Sequence, residues 1–150
     1  MNYKRVHCLG IGGIGLSALA RYYKENGAII TGEDDSHGET TDLLQEEGIE
    51  ISFPISGVNI TADIDVIVYT VALPKTHPAV RKALELGVKI MTYPVALGEM
   101  TNQKRMIAVC GTHGKTTTTA MTFYAVRAAG VDVSMIVGSL IKHDGKLTNY

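Results

Sequence analysis

Two stretches of this sequence pair glycines with residues suited to holding phosphate. The first, Gly10-Ile11-Gly12-Gly13-Ile14-Gly15, fits the pattern GxGxxG. Glycines let a backbone turn tightly and approach a pyrophosphate with no side chain in the way. A helix starting there adds unpaired N–H groups and a positive dipole end, worth about 0.3–1 kcal/mol when exposed. The second stretch, Gly111-Thr112-His113-Gly114-Lys115-Thr116-Thr117, resembles a P-loop but has Val109 where the first glycine of that motif belongs. Its Gly-x-x-Gly-Lys-Thr core still suits a backbone nest for phosphate oxygens. Lys115 is placed to neutralise β- and γ-phosphates, and the Thr116 hydroxyl to ligate Mg²⁺. His113 reads as a spacer between glycines. Thr117, Thr118 and Thr119 are poor helix formers, and a hydroxyl facing phosphate accounts for the first of them.

The acids Glu33, Asp34 and Asp35 fall close to the offset of about 20 residues expected for a ribose-binding carboxylate. The competing reading is a solvated acidic turn. By itself the first loop calls for a diphosphate but not for its bearer, so NAD or another dinucleotide stays open.

The elements that must position these loops follow from hydrophobic periodicity. Strands are predicted at 6–10, 28–31, 49–53, 65–70 and 88–92. Helices alternate with them at 14–26, 40–47 and 78–86, the last capped by Thr76 or His77 with Pro78 in its first turn, and a short one starts at Pro94. Gly27, Gly48 and Gly87 stand just past the first three helices. Such alternation predicts an α/β fold, a Rossmann-like, doubly wound and mostly parallel sheet. The polar run at 101–104 marks a boundary, giving a first domain over 1–103 and the start of a P-loop ATPase domain over 104–150. In the latter the pattern predicts a strand at 105–110, a helix at 115–129, a strand at 133–137 and a hairpin turning at Asp144-Gly145.

The composition excludes some classes. With a net charge of −1, the chain lacks the basic excess expected for nucleic acid or an anionic membrane surface. No apolar stretch is long enough to span a bilayer. Residues 4–20 imitate a signal peptide, but their glycine cluster makes a poor apolar helix. Cys8 and Cys110 lack CxxC spacing and read as small buried hydrophobes in a reducing cytoplasm. One strand, one helix, one strand and a hairpin do not complete a nucleotide-binding sheet. The chain is therefore expected to be a fragment of a longer protein, and to self-associate through the uncovered apolar faces of 115–129 and 133–137.

Both loops, in this order and about 100 residues apart, resemble the Mur ligases of peptidoglycan synthesis. The segments His7-Cys8-Leu9-Gly10-Ile11-Gly12-Gly13-Ile14-Gly15-Leu16-Ser17 and Gly111-Thr112-His113-Gly114-Lys115-Thr116-Thr117-Thr118-Thr119 carry the resemblance. It implies an ATP-dependent ligase that joins L-alanine to UDP-N-acetylmuramate. The substrate carboxylate takes the γ-phosphoryl group as an acyl phosphate, which the amine then displaces. It further implies diphosphate contacts from Gly12, Gly13, Ile14 and Gly15, and roles for Asp34 and Thr70 in the UDP site. The ATP site falls to Gly111, Thr112, His113, Gly114, Lys115, Thr116 and Thr117, with Lys115 catalytic and Thr116 on the metal. The sequence departs from the family at Phe53-Pro54-Ile55, where Gly-His is usual, at Tyr93, near which an arginine is common, at His77-Pro78 and at Gly138-Ser139. The fragment alone is expected to bind UDP-sugar without ligating.

Overall fold

The computed structural model describes residues 3–150. Five strands, β1 (Arg5–Leu9), β2 (Ile29–Glu33), β3 (Glu50–Ser52), β4 (Val66–Tyr69) and β5 (Lys89–Thr92), form one sheet in the order β3-β2-β1-β4-β5. All neighbours are parallel. The chain steps outward from β1 to β3, then returns to the other side of β1 with β4. Loops leaving the carboxyl ends of β1 and β4 therefore diverge across a crevice, the usual ligand position in such sheets.

Alternation along the strands builds two cores. Val6 and Cys8 of β1, Ile30 of β2, Val66 and Val68 of β4 and Met91 of β5 face one side. Three helices cover that side: α1 (Ile14–Glu25), α2 (Glu39–Glu46) and α4 (Tyr93–Thr101). Leu9, Ile67, Tyr69 and Ile90 face the other side, under Ala79, Val80 and Ala83 of α3 (Pro78–Glu85). Ile55, Ile60 and Ile64, from the long connection between β3 and β4, complete this second core. The His77 side chain caps α3, accepting from the Ala79 amide at 3.2 Å, which settles the choice between Thr76 and His77.

Residues beyond 104 differ from the expectation. Helix α5 (Lys115–Ala128) forms where the sequence places it. The segments 105–110 and 133–137, however, join no sheet among the described residues. A strand is defined by its ladder, and apolar periodicity without a neighbouring strand does not make one. Met106 and Ile107 consequently stay exposed. Met135 and Val137 instead pack with Phe123 of α5 in a small third cluster. The hairpin is β6 (Ile141–His143) against β7 (Lys146–Thr148), antiparallel. Asp144 and Gly145 both take positive φ, 48° and 82°, as a two-residue type I′ turn requires.

Candidate functional site

The first loop leaves β1 at the crevice between β1 and β4. Gly10 has φ 82°, and its amide donates to the Glu33 carbonyl at 2.8 Å, as does that of Ile11 at 3.2 Å. A side chain at Gly10 would also meet the Thr70 methyl at 2.6 Å. Thr70 thus lies against the loop from the end of β4, and its hydroxyl accepts from the Ala72 amide at 3.3 Å. Gly12 is hemmed in differently. Its amide donates to Asp34 Oδ2 at 2.7 Å, and a Cβ there would meet that oxygen and the Thr41 methyl at 2.9 Å each. A Cβ at Gly15 would meet the Tyr93 ring at 2.6 Å. The motif glycines are therefore required by packing within the crevice as well as by any close-approaching ligand.

Helix α1 starts from Gly13 without a side-chain cap. The amides of Ile14, Gly15 and Leu16 have no carbonyl inside the helix to bond, and they open the positive end of its dipole. This end of the crevice is suited to a diphosphate. The structure places Asp34 against Gly12 and Thr70 against Gly10, with Gly13, Ile14 and Gly15 following in the same loop. Asp34 is more tightly engaged than a free ribose acceptor: its Oδ1 also accepts from the Asp35 amide at 2.8 Å.

Sequence reasoning offered Glu33 only as one of three candidate ribose-binding acids and missed its buried role. This carboxylate is fully buried and accepts from the amides of Ser56 and Gly57 at 2.6 and 2.7 Å and of Asn59 at 3.4 Å. It pins the β3–β4 connection that flanks the crevice. Burial works to raise its pKa, but the adjacent His7 imidazole and the Gly57 and Ser56 amides outweigh this and hold it at about 2. His7, also fully buried, bonds Thr31 through Nδ1 at 2.8 Å, while its Nε2 stands 3.6 Å from Glu33 Oε1. Strand parity could have found the pair: His7 lies opposite Thr31 and Leu9 opposite Glu33, so His7 and Glu33 share one face. Phe53, where the family pattern is broken, stacks on His37 with ring centroids 3.8 Å apart.

The second loop is exposed from Gly111 to Lys115. Gly111 and Gly114 take φ of 154° and 78°, which side chains rarely allow. Helix α5 starts from Gly114, again with no side-chain cap. Lys115 Nζ turns back and donates to the carbonyls of Gly111 at 2.6 Å and Thr112 at 3.2 Å. The side chains of half-buried Thr116 and of exposed Thr117 and His113 make no hydrogen bond among the described residues. No cluster of three or more His, Cys, Asp or Glu side chains suited to a metal occurs among the described residues. Cys110, expected to be buried, is exposed beside Gly111; its predicted strand has no sheet to bury it.

No hydrogen bond or ion pair joins the two loops directly among the described residues. The contact between the two parts of the chain runs through Asn149 and Tyr150. Asn149 bonds α1, and Tyr150 meets the Tyr22 ring at 6.1 Å between centroids. No described helix is long and apolar enough to cross a membrane.

Comparisons with known proteins agree with this geometry. The model of the family described as "Mur ligase family, catalytic domain" matches residues 5–105. The UDP-N-acetylmuramate–L-alanine ligase of Clostridium kluyveri is 42% identical over 136 residues, 90% of this chain and 30% of that protein. The protein of that name from Lachnospira eligens is 40% identical over 141 residues, 93% of this chain and 31% of its own length. The chain thus spans about a third of the length of the curated relatives it matches. Among solved structures, the UDP-N-acetylmuramate–alanine ligase of Thermotoga maritima superposes with a TM-score of 0.85 at 32% identity, covering 91% of this chain and 32% of that one. A Neisseria meningitides ligase for UDP-N-acetylmuramate and L-alanyl-γ-D-glutamyl-meso-diaminopimelate gives 0.84 at 26% identity, covering 97% and 46%.

Proposed function

The chain belongs to the Mur ligase family, and on that footing we propose that it forms the UDP-substrate site, and the first part of the ATP site, of a ligase joining L-alanine to UDP-N-acetylmuramate. The observation that carries the reading is the pair of uncapped helix starts, at Gly13 and Gly114, each behind a glycine loop in one chain. A dinucleotide-binding module accounts for the first loop and leaves the second without a purpose.

In this reading residues 1–103 are the UDP-sugar domain. The open amides of Ile14 and Gly15 receive the diphosphate; the Gly12 amide, held by Asp34, and the Gly13 amide, which donates to the Gly10 carbonyl at 3.1 Å, fix the loop; Thr70 closes the β4 side. Residues 104–150 begin the ATP domain. The 111–117 loop wraps the nucleotide phosphates, Lys115 neutralises the transferring γ-phosphoryl group, and Thr116 shares in holding Mg²⁺, which offsets phosphate charge when bound. The carboxylate of the bound sugar attacks the γ-phosphorus as the bond to the β-phosphate breaks and ADP leaves; the alanine amine then adds to the acyl phosphate carbonyl, and inorganic phosphate and a proton leave as the amide forms. The work of this chain is to place carboxylate and phosphate together, where orientation contributes much of the rate. The chain spans about a third of the length of its curated relatives, and we expect the 150 residues to bind the UDP substrate without turnover.

Titration calorimetry with UDP-N-acetylmuramate and with NAD tests the reading. Binding of the former in preference to the latter is the expected result. NAD binding alone, or phosphate release from ATP, UDP-N-acetylmuramate and alanine by this chain, would overturn it.

A further inference from the structure

Asn149 is fully buried, yet its side chain bonds nothing in its own part of the molecule. Its Nδ2 donates to the Ile14 carbonyl at 2.5 Å and to Ser17 Oγ at 2.8 Å. Its Oδ1 accepts from Arg21 Nη1 at 2.5 Å. All three partners lie on α1. Arg21 is itself held by a two-nitrogen grip on the Glu47 carboxylate at 2.8–3.0 Å. The Asn149 backbone carbonyl, meanwhile, accepts from the Val137 amide at 3.1 Å, which fastens it to the segment that packs on α5.

The helix does not need these bonds. The Ile14 carbonyl has an acceptor role inside α1 and already receives the Ser17 hydroxyl at 3.0 Å. What the bonds fix is place. A buried amide has to meet its partners or lose its hydration for nothing, so the two parts of the chain are held at the one position where Asn149 reaches Ile14, Ser17 and Arg21 together. Ile14 is both the first residue of α1 and a member of the glycine motif.

We propose that Asn149 is a positioning residue: it locks the first turn of α1, and with it the Gly12–Gly15 loop, to the part of the chain that carries Lys115, so that both phosphate loops share one frame. The inference rests on the reading of the first loop as a diphosphate site.

The test is calorimetry on the 150-residue chain with UDP and with UMP, which differ in the β-phosphate. In the unsubstituted chain UDP binds more tightly than UMP. Asn149→Ala loosens the helix start, and UDP affinity falls about three- to tenfold while UMP affinity changes less than twofold. Ser17→Ala weakens the same link from the α1 side, and the double variant loses less than the product of the two single losses. Should Asn149→Ala not fold, Ser17→Ala alone decides the outcome through the same UDP-to-UMP ratio. Equal losses for both ligands, or an unchanged ratio in the folded variants, would overturn the proposal while leaving the site reading intact. No UDP binding by the unsubstituted chain would overturn the site reading, and this proposal with it.

Discussion

The Asp34 carboxylate stands 2.7 Å from the Gly12 amide, so the acid that follows β2 is fastened to the loop that follows β1. Asp34 therefore shapes the Gly10–Gly15 loop from outside it. Asp34→Ala releases Gly12 and the amides of Asp35 and Ser36 that share the carboxylate. Losing bonds to a charged acceptor is worth about 1.5–3 kcal/mol. We expect UDP affinity to fall by at least tenfold in calorimetry, with the far-ultraviolet spectrum unchanged. Retained affinity would remove Asp34 from the site.

Glu33 predicts an acid transition. Its folded-state pKa, about 2, lies below the value of 4.5 for a free carboxyl. A depressed pKa gives stability that is fully present above pH 4.5 and is lost as pH falls toward 2. The difference corresponds to roughly 3 kcal/mol. Unfolding in urea should show a midpoint that declines through this window. Glu33→Gln should be less stable at pH 7 and flatter below pH 4.5. A variant as stable as the parent at neutral pH would mean that the Ser56, Gly57 and Asn59 amides do not depend on the charge.

The two cysteines should separate cleanly under alkylation. Burial pushes the Cys8 thiol up to about 12, and its side chain has no solvent contact. Cys110 is exposed beside Gly111. Iodoacetamide should modify one thiol per native chain, at Cys110, and two after denaturation, as read by mass spectrometry. Mg-ATP should slow the native reaction if the second loop closes around phosphate. Equal labelling of both thiols would contradict the buried strand.

The apolar residues left bare beyond position 104 predict association. Met106, Ile107, Met121 and Val131 are each more than half exposed. A surface of this kind favours contact with a second copy. Sedimentation at rising concentration should show a dimer or larger species, reduced by Met121→Glu with Ile107→Glu. A monomer at all concentrations would show that these side chains do not carry association.

The first hundred residues were legible because each signal was local. The continuous apolar run Val66–Tyr69, Pro78 in the first turn of α3 and the glycines after α1, α2 and α3 each specify an element without distant help. The glycine turn between β1 and α1 was legible for the same reason. The segments 105–110 and 133–137 misled because a strand needs a neighbour, and apolar composition does not reveal whether one is there. The roles of Glu33 and Asn149 were hidden for another reason. Both are polar residues whose partners lie far along the chain, at Ser56 and Gly57 in one case and at Ile14 and Ser17 in the other. An acidic row reads as a solvated turn until register shows which of its members points inward.

Lys115 reaches back to the Gly111 and Thr112 carbonyls of its own loop. Nucleotide binding at this loop, as proposed above, would be an exchange of partners: the ammonium would leave two carbonyl oxygens to meet phosphate. Only a ligand carrying enough negative charge at that point compensates for the lost bonds. On the proposed reading, a nucleoside or monophosphate would leave the lysine where it is, and the loop would grade its visitors by phosphate count before any chemistry begins.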